Sequence, residues 1–339
     1  MNSPNERLPL IAVIRGGLSG ESVISFQSAD RMMKAIDRAR FAPVLVTLGA
    51  EGWSCATVDE APLPFDPGTF RTDRGNGMER IDAVLIAIHG TPGEDGKLQG
   101  YLDLQGVPYQ TGGVLNMALT FSKSSTTGLL RQLGFTVAPG VVIAQGDPVV
   151  PEHILKTVGL PCFVKPDESG SSLGISKVKS AEALLPAIEA AFKESHRVLV
   201  EGAVSGRELT CGVLGMGGEV KALPVCEIRT SHEFFDYQAK YHAKDTEELV
   251  PAPLPDEVTR LVQERSAAIF RALDCRGMAR VDHFWSGTGT SVHDLVTIEV
   301  NTTPGFSGAS IYPKMLEVSG IGVPAVVNGL IAECLQRGR

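Results

Sequence analysis

Apolar positions along the first third of the chain follow two different rhythms. "PLIAVI" (9–14), "APVLVTL" (42–48) and "AVLIAIHG" (83–90) are short continuous apolar runs, the signature of buried strands. "ESVISFQSADRMMKAIDRAR" (21–40) instead returns an apolar residue every three or four positions, as an amphipathic helix does. Such alternation predicts a parallel, doubly wound sheet. "VLNMALTFSKSSTTGLLRQLG" (114–134) reads as one helical stretch ended by Gly134. The middle third gives strands at "PCFVKP" (161–166) and "RVLVEGAV" (197–204), with a helix at "AEALLPAIEAAF" (181–192). The last third gives strands at "LTCGVLG" (209–215), "MARVDHFW" (278–285) and "LVTIEVN" (295–301). Helices are expected at 255–273 and 324–337.

Composition narrows the class. With 339 residues, 43% hydrophobic and 21% charged, the chain has enough material for two or three globular domains. A net charge of −8 argues against nucleic acid or an anionic membrane as partner. No stretch approaches the ~18 apolar residues that a membrane span needs, and the N-terminus lacks a signal-peptide pattern. The cysteines are scattered and form no CxxC pair, so they read as buried free thiols in a reducing cytoplasm.

Chemistry concentrates where strands end. "RGGLSGES" (15–22) follows a strand and precedes a helix; Glu21 either complements the helix dipole or holds a substrate ammonium. "IHGTPGEDGKLQG" (88–100) puts His89 at the carboxyl end of a strand, where α/β sheets bind ligands. In "LVTIEVN", alternation puts Thr297, Glu299 and Asn301 on one face, with Ile298 and Val300 on the other. Arg280 and Asp282 share a face of "MARVDHF" by the same rule. Oxygen ligands beside an arginine suit Mg²⁺ and a phosphoryl-transfer floor. "FVKPDESGSSLG" (163–174) has its lysine ahead of the glycines, the reverse of a P-loop, and "ISKVKS" then reads as another strand. A lysine, a Gly/Ser loop and a strand make a hairpin that lies over a nucleotide from above.

Taken together, "GGLSGES", "HGTPGEDGKLQG", "VKPDESGSSLG", "FFDYQAKY", "RVD" and "EVNTTPG" resemble the D-alanine–D-alanine ligases of the ATP-grasp superfamily, in order and spacing, over nearly the whole chain. The resemblance implies an α/β fold of three parts: an open α/β N-terminal domain (1–115), a small mixed central lid domain (116–206) and a mixed C-terminal catalytic domain (207–339). It implies ATP, held by Lys123, Lys165, Ser171, Ser172, Glu201, Val204, Glu208 and Lys240, and two Mg²⁺ (Mn²⁺ able to substitute) on Asp282, Glu299 and Asn301. Glu21 would pair with the ammonium of the first D-alanine and His89 would lie beside its carboxylate. Arg280 and the Gly305 N–H would meet the oxyanion, Ser310 would bind the second substrate, and Tyr241, Ser171 and Glu21 would close the site. The implied product is D-alanyl-D-alanine for peptidoglycan precursors, made by a cytoplasmic homodimer.

The sequence departs from the family at four places. Ser22 stands where an arginine is usual, Gly202 where a lysine usually follows the adenine-site glutamate, "DESGSS" replaces the usual glutamate before Gly-Ser-Ser, and His283 follows Asp282. These departures leave a second reading open, a carboxylate–amine ligase making a different dipeptide in specialised metabolism. A non-enzymatic nucleotide-binding module is disfavoured, because every residue assigned to chemistry is retained.

Overall fold

The computed structural model of the chain describes residues 7–170, 173–230 and 246–338. The N-terminal part begins with β1 (Leu10–Gly16), α1 (Ser22–Ala35) and β2 (Ala42–Gly49). A meander follows: β3 (Gly52–Ala56), β4 (Pro62–Leu63), β5 (Phe65–Asp66), β6 (Arg71–Asp73) and β7 (Met78–Arg80). It returns to β8 (Ala83–Ile86), then α2 (Lys97–Gln105), α3 (Val114–Phe121) and α4 (Lys123–Gln132). The sheet order is β4-β3-β2-β1-β8, with β5-β6-β7 as a separate small sheet.

Only part of this sheet is parallel. β1 pairs in parallel with β2 and β8, but β3 and β4 add antiparallel. The expectation of a doubly wound parallel sheet therefore needs correction: hairpins, not a crossover helix, fill 52–80. They pack on an aromatic cluster, in which Trp53 stacks on Tyr101 at 5.4 Å and meets Phe70 edge-on at 6.2 Å. The stretch 114–134 is likewise two helices. Ser122 takes an extended backbone between α3 and α4, and its hydroxyl accepts the Ser125 N–H at 3.2 Å. A serine cap competes with helix continuation in this way.

The central part runs β9 (Gly140–Ala144), α5 (Pro151–Val158), β10 (Cys162–Pro166), β11 (Ser176–Val178), α6 (Leu184–Ala191) and β12 (Arg197–Gly202). Its sheet, β11-β10-β12-β9, is antiparallel and has its own apolar core around Val164, Leu184, Ile188 and Val200. β10 and β11 pair across the Gly/Ser loop, Phe163 opposite Lys177.

The last part holds β13 (Arg207–Met216), β14 (Glu219–Thr230), β15 (Thr246–Leu249), α7 (Asp256–Ala272), β16 (Gly277–Trp285), β17 (Leu295–Asn301), α8 (Ile311–Val318) and α9 (Val323–Arg337). The sheet order is β15-β14-β13-β16-β17. One large core joins this part to the first: Ile11, Val13, Met32 and Leu85 pack with Met315, Val327, Leu330 and Ile331 of α8 and α9. The ends of β1 and β8 are thereby held against the loop after β17. All six cysteines are free and buried.

Candidate active site

A cavity of about 840 Å³ lies between the central sheet, the last sheet and the N-terminal loops. Its floor comes from β16 and β17. Asp282 faces Glu299 across the strand pair, and Arg280 faces Asn301. Between Asp282 and His283 the register slips by one residue. This bulge alters the face expected from simple alternation. Ile298 joins Glu299 and Asn301 in lining the cavity, whereas Thr297 is fully buried, 3.2 Å from Nδ1 of His283. His283 also meets Ser266 Oγ at 2.9 Å, and burial pushes its pKa down to about 3. It is a neutral packing histidine beneath the floor.

Arg280 and Asp282 do share a face. Nε and a terminal nitrogen of the guanidinium donate to the two carboxylate oxygens at 2.9 and 2.8 Å. Thr210 on β13 adds a hydroxyl to Asp282 at 2.5 Å. Asp282, Glu299 and Asn301 offer only oxygen donors, two of them carboxylates on adjacent strands, which suits a hard divalent cation. Among the described residues no three of His, Cys, Asp and Glu cluster as a metal site; the third donor of this set is an amide.

The central sheet supplies the roof. Lys165 and Glu201 both line the cavity and bind each other at 2.6 Å, nearly buried. Val204 and Glu208 line the same wall. Gly202 beside them has a packing reason: a Cβ there would stand 2.7 Å from the Val158 carbonyl oxygen. A longer side chain at this position has no room.

Glu21, His89, Gly305 and Ser310 complete the cavity on the N-terminal side. Glu21 caps α1 by position, yet its side chain makes no cap bond. Its carboxylate lies instead where any Cβ on Gly170 would strike it, so the N-terminal loop and the Gly/Ser loop meet at Glu21. His89 is buried, with Nε2 3.3 Å from Ser28 Oγ on α1, and Ser28 accepts the Phe306 N–H at 3.2 Å. Burial, aided by the charge of Arg280, lowers the His89 pKa to about 4. The Ser310 hydroxyl accepts the Ser307 N–H at 3.1 Å and sits against Gly305.

A smaller cleft of about 90 Å³ adjoins the first and shares Glu21, His89, Arg280, Glu299 and Asn301 with it. Lys123 lies here, donating to the Ser169 carbonyl at 2.6 Å and standing 3.7 Å from Glu299. Ser171, Ser172, Lys240 and Tyr241 lie outside the described residues.

Sequence reasoning passed over some residues. Glu94, in the same glycine-rich turn as His89, lines the smaller cleft and accepts the Gly90 N–H at 2.7 Å. Burial, with the charges of Glu21 and Glu299, raises its pKa to about 8. Ser28 was hidden in the pattern of α1, although a serine on a buried helix face is itself a signal. Phe163 and Lys177, cross-strand partners on the roof, also line the cavity.

Family models match the chain along most of its length: the D-ala D-ala ligase N-terminus over residues 10–112 and the D-ala D-ala ligase C-terminus over residues 129–332. The chain belongs to the D-alanine–D-alanine ligase family. A D-alanine–D-alanine ligase of Porphyromonas gingivalis is 40% identical over 329 residues, 96% of this chain and 98% of that protein. Among solved structures, D-alanyl-alanine synthetase A of Vibrio cholerae is 29% identical with a TM-score of 0.85, covering 97% of this chain and 99% of that one. The D-alanine–D-alanine ligase of Bacillus anthracis complexed with ATP is 27% identical with a TM-score of 0.75, covering 97% and 98%. The fold is thus the α/β ATP-grasp fold of these ligases.

Proposed function

We propose that this member of the ligase family joins two D-alanine molecules at the cost of ATP, giving D-alanyl-D-alanine, ADP and phosphate for peptidoglycan precursors. The observation that carries the reading is one cavity lined by a lysine roof, a carboxylate floor and the Glu21–His89 corner, in a chain with this family's full-length match. The similar ligase solved with ATP supports the nucleotide.

The chemistry runs in two steps. A carboxylate oxygen of the first D-alanine attacks the γ-phosphorus, and the bond from that phosphorus to ADP breaks, leaving an acyl phosphate. The amine of the second D-alanine attacks the acyl carbon; the carbon–oxygen bond to phosphate breaks, and an ammonium proton is lost. Glu21 holds the first ammonium. His89, neutral at physiological pH, hydrogen-bonds the adjoining carboxylate without adding charge. Arg280 is kept flat and aimed by its bidentate bonds to Asp282 and meets the oxyanion together with the Gly305 N–H. Ser310 binds the second carboxylate. Lys165 and Lys240 hold the phosphates, with Ser171 and Ser172 over them; Glu201, Val204 and Glu208 hold the adenosine. Lys123, which the resemblance puts near the adenine and ribose, stands 3.7 Å from Glu299 and is read here as serving the phosphate end of the nucleotide. Asp282, Glu299 and Asn301 would hold Mg²⁺, which supplies charge neutralisation to the phosphates. Tyr241 with Ser171 and Glu21 excludes water, which would hydrolyse an acyl phosphate.

The domain limits 1–115, 116–206 and 207–339, a homodimer and a cytoplasmic location belong to the same reading. Among the described residues, no single helix is long and apolar enough to cross a membrane.

The test is a screen of D- and L-amino acids with phosphate release and product mass both recorded. D-alanine alone should release phosphate and give D-alanyl-D-alanine. Absence of ATP-dependent phosphate release with any amino acid overturns the reading. A different dipeptide as the main product moves the chain to the specialised ligases.

A further inference from the structure

Asp167 is the residue that follows β10, and it is completely buried, at 0% exposure. It lines neither the large cavity nor the small cleft. Its side chain turns instead to the start of α4. Oδ1 accepts the Ser124 N–H at 2.7 Å, and Oδ2 accepts the Ser122 hydroxyl at 2.8 Å. Its carbonyl accepts the Lys123 N–H at 3.1 Å, while its own N–H donates to Arg197 at 2.9 Å. A residue of the central sheet therefore caps the helix whose first residue is Lys123. A buried carboxylate is costly unless its bonds are restored, and a helix start supplies both N–H donors and the positive end of the dipole. Lys123 closes the ring, because Nζ reaches back to the Ser169 carbonyl at 2.6 Å. The same Nζ stands 3.7 Å from Glu299.

We propose that Asp167 is a positioning residue for the nucleotide phosphates: it locks Lys123 and residues 167–170 into one unit set against Glu299, without touching the ligand. The inference rests on the ATP-dependent reading above. A lysine is a point charge on a flexible four-carbon stem, so its place depends on where its helix starts and where Nζ is anchored. The Asp167 ring fixes both. Without the carboxylate, the ring loses its bonds to Ser122 and Ser124 and keeps two, both from Lys123: its N–H to the Asp167 carbonyl and its Nζ to the Ser169 carbonyl.

The test uses the full chain with Asp167→Ala, Asp167→Asn, Lys123→Ala and the double variants. Asp167→Ala should lower kcat/KM for ATP about tenfold or more, as misplacement far from the chemistry does, with the D-alanine KM within about twofold of the parent. Asp167→Asn keeps one acceptor oxygen for Ser124 and should show a smaller loss, about threefold. Both losses should shrink to near nothing in the Lys123→Ala background, since a residue that acts through Lys123 has nothing left to position. A purely structural role would lower the melting temperature and leave the losses additive with Lys123→Ala. Should Asp167→Ala fail to fold, the Asp167→Asn cycle decides. Parent-like ATP kinetics in Asp167→Asn, or full additivity, overturns the inference alone. A parent chain that releases no phosphate from ATP with D-alanine overturns the functional reading and this inference with it.

Discussion

Glu299 is the residue at which the most roles converge. It faces Asp282 across the strand pair, neighbours the Lys123 ammonium and lines both the cavity and the cleft. Replacing it with Gln keeps the shape and removes one charge from the proposed Mg²⁺ set. The expected result is a fall in kcat of more than about tenfold, ~1.4 kcal/mol of barrier, with unfolding unchanged. Parent-like turnover would remove Glu299 from the site. Residues of this kind were legible because a strand exposes every second side chain. The same rule misplaced Thr297 and Ile298, since it has no knowledge of a bulge. That slip arises from pairing with β16, and a strand read by itself carries no sign of its partner's register.

At the scale of elements, the lysine that stands ahead of its glycines resolves into two antiparallel strands. β10 presents Lys165 on the roof, β11 returns beside it, and the loop between them reaches toward the N-terminal part. Gly170 is where it arrives. Any Cβ there would collide with the Glu21 carboxylate. Gly170→Ala should therefore displace Glu21 or the loop and raise the KM of the first D-alanine by about tenfold, the price of one weakened charge-assisted bond. Unchanged D-alanine kinetics would show that the loop and Glu21 act independently. Long apolar or amphipathic elements such as β1, α1, α7 and α9 were readable because their cores demand periodicity. β14 escaped notice because "EVKALPVCEIRT" alternates only in part and carries charge at its ends. The hairpins at 52–80 escaped because their strands are two to five residues long, too short for a period to show.

At the scale of the whole molecule, two buried histidines and the half-buried Glu94 make the fold a proton balance. His89 and His283 are depressed to about 4 and about 3, so the unfolded chain takes up two protons that the fold refuses as pH drops below 6.5. Stability from both is complete above the unfolded value and is lost as pH falls toward the folded ones. Glu94 works in the opposite direction. Raised to about 8, it keeps its proton in the fold after the unfolded chain has released it near 4.5, so its contribution is lost as pH rises through 8. Each unmatched proton tilts stability by ~1.4 kcal/mol per pH unit. Between about 5 and 6.5 two histidine protons oppose one carboxyl proton, a net rise of ~1.4 kcal/mol per unit with increasing pH. Between 6.5 and 8 only Glu94 remains, and stability falls by a similar slope. A maximum near pH 6.5 follows, measurable by urea unfolding at half-unit steps. Glu94→Gln should abolish the alkaline fall and steepen the acid rise; His283→Gln should flatten the acid rise and leave the alkaline side alone. Comparing each variant with the parent cancels the exposed carboxylates common to both. A parent whose stability is level from pH 6.5 to 8, or a Glu94→Gln variant that still loses stability there, would mean that the carboxyl beside His89 is ionised in the fold and that the cleft tolerates three neighbouring negative charges before any substrate arrives.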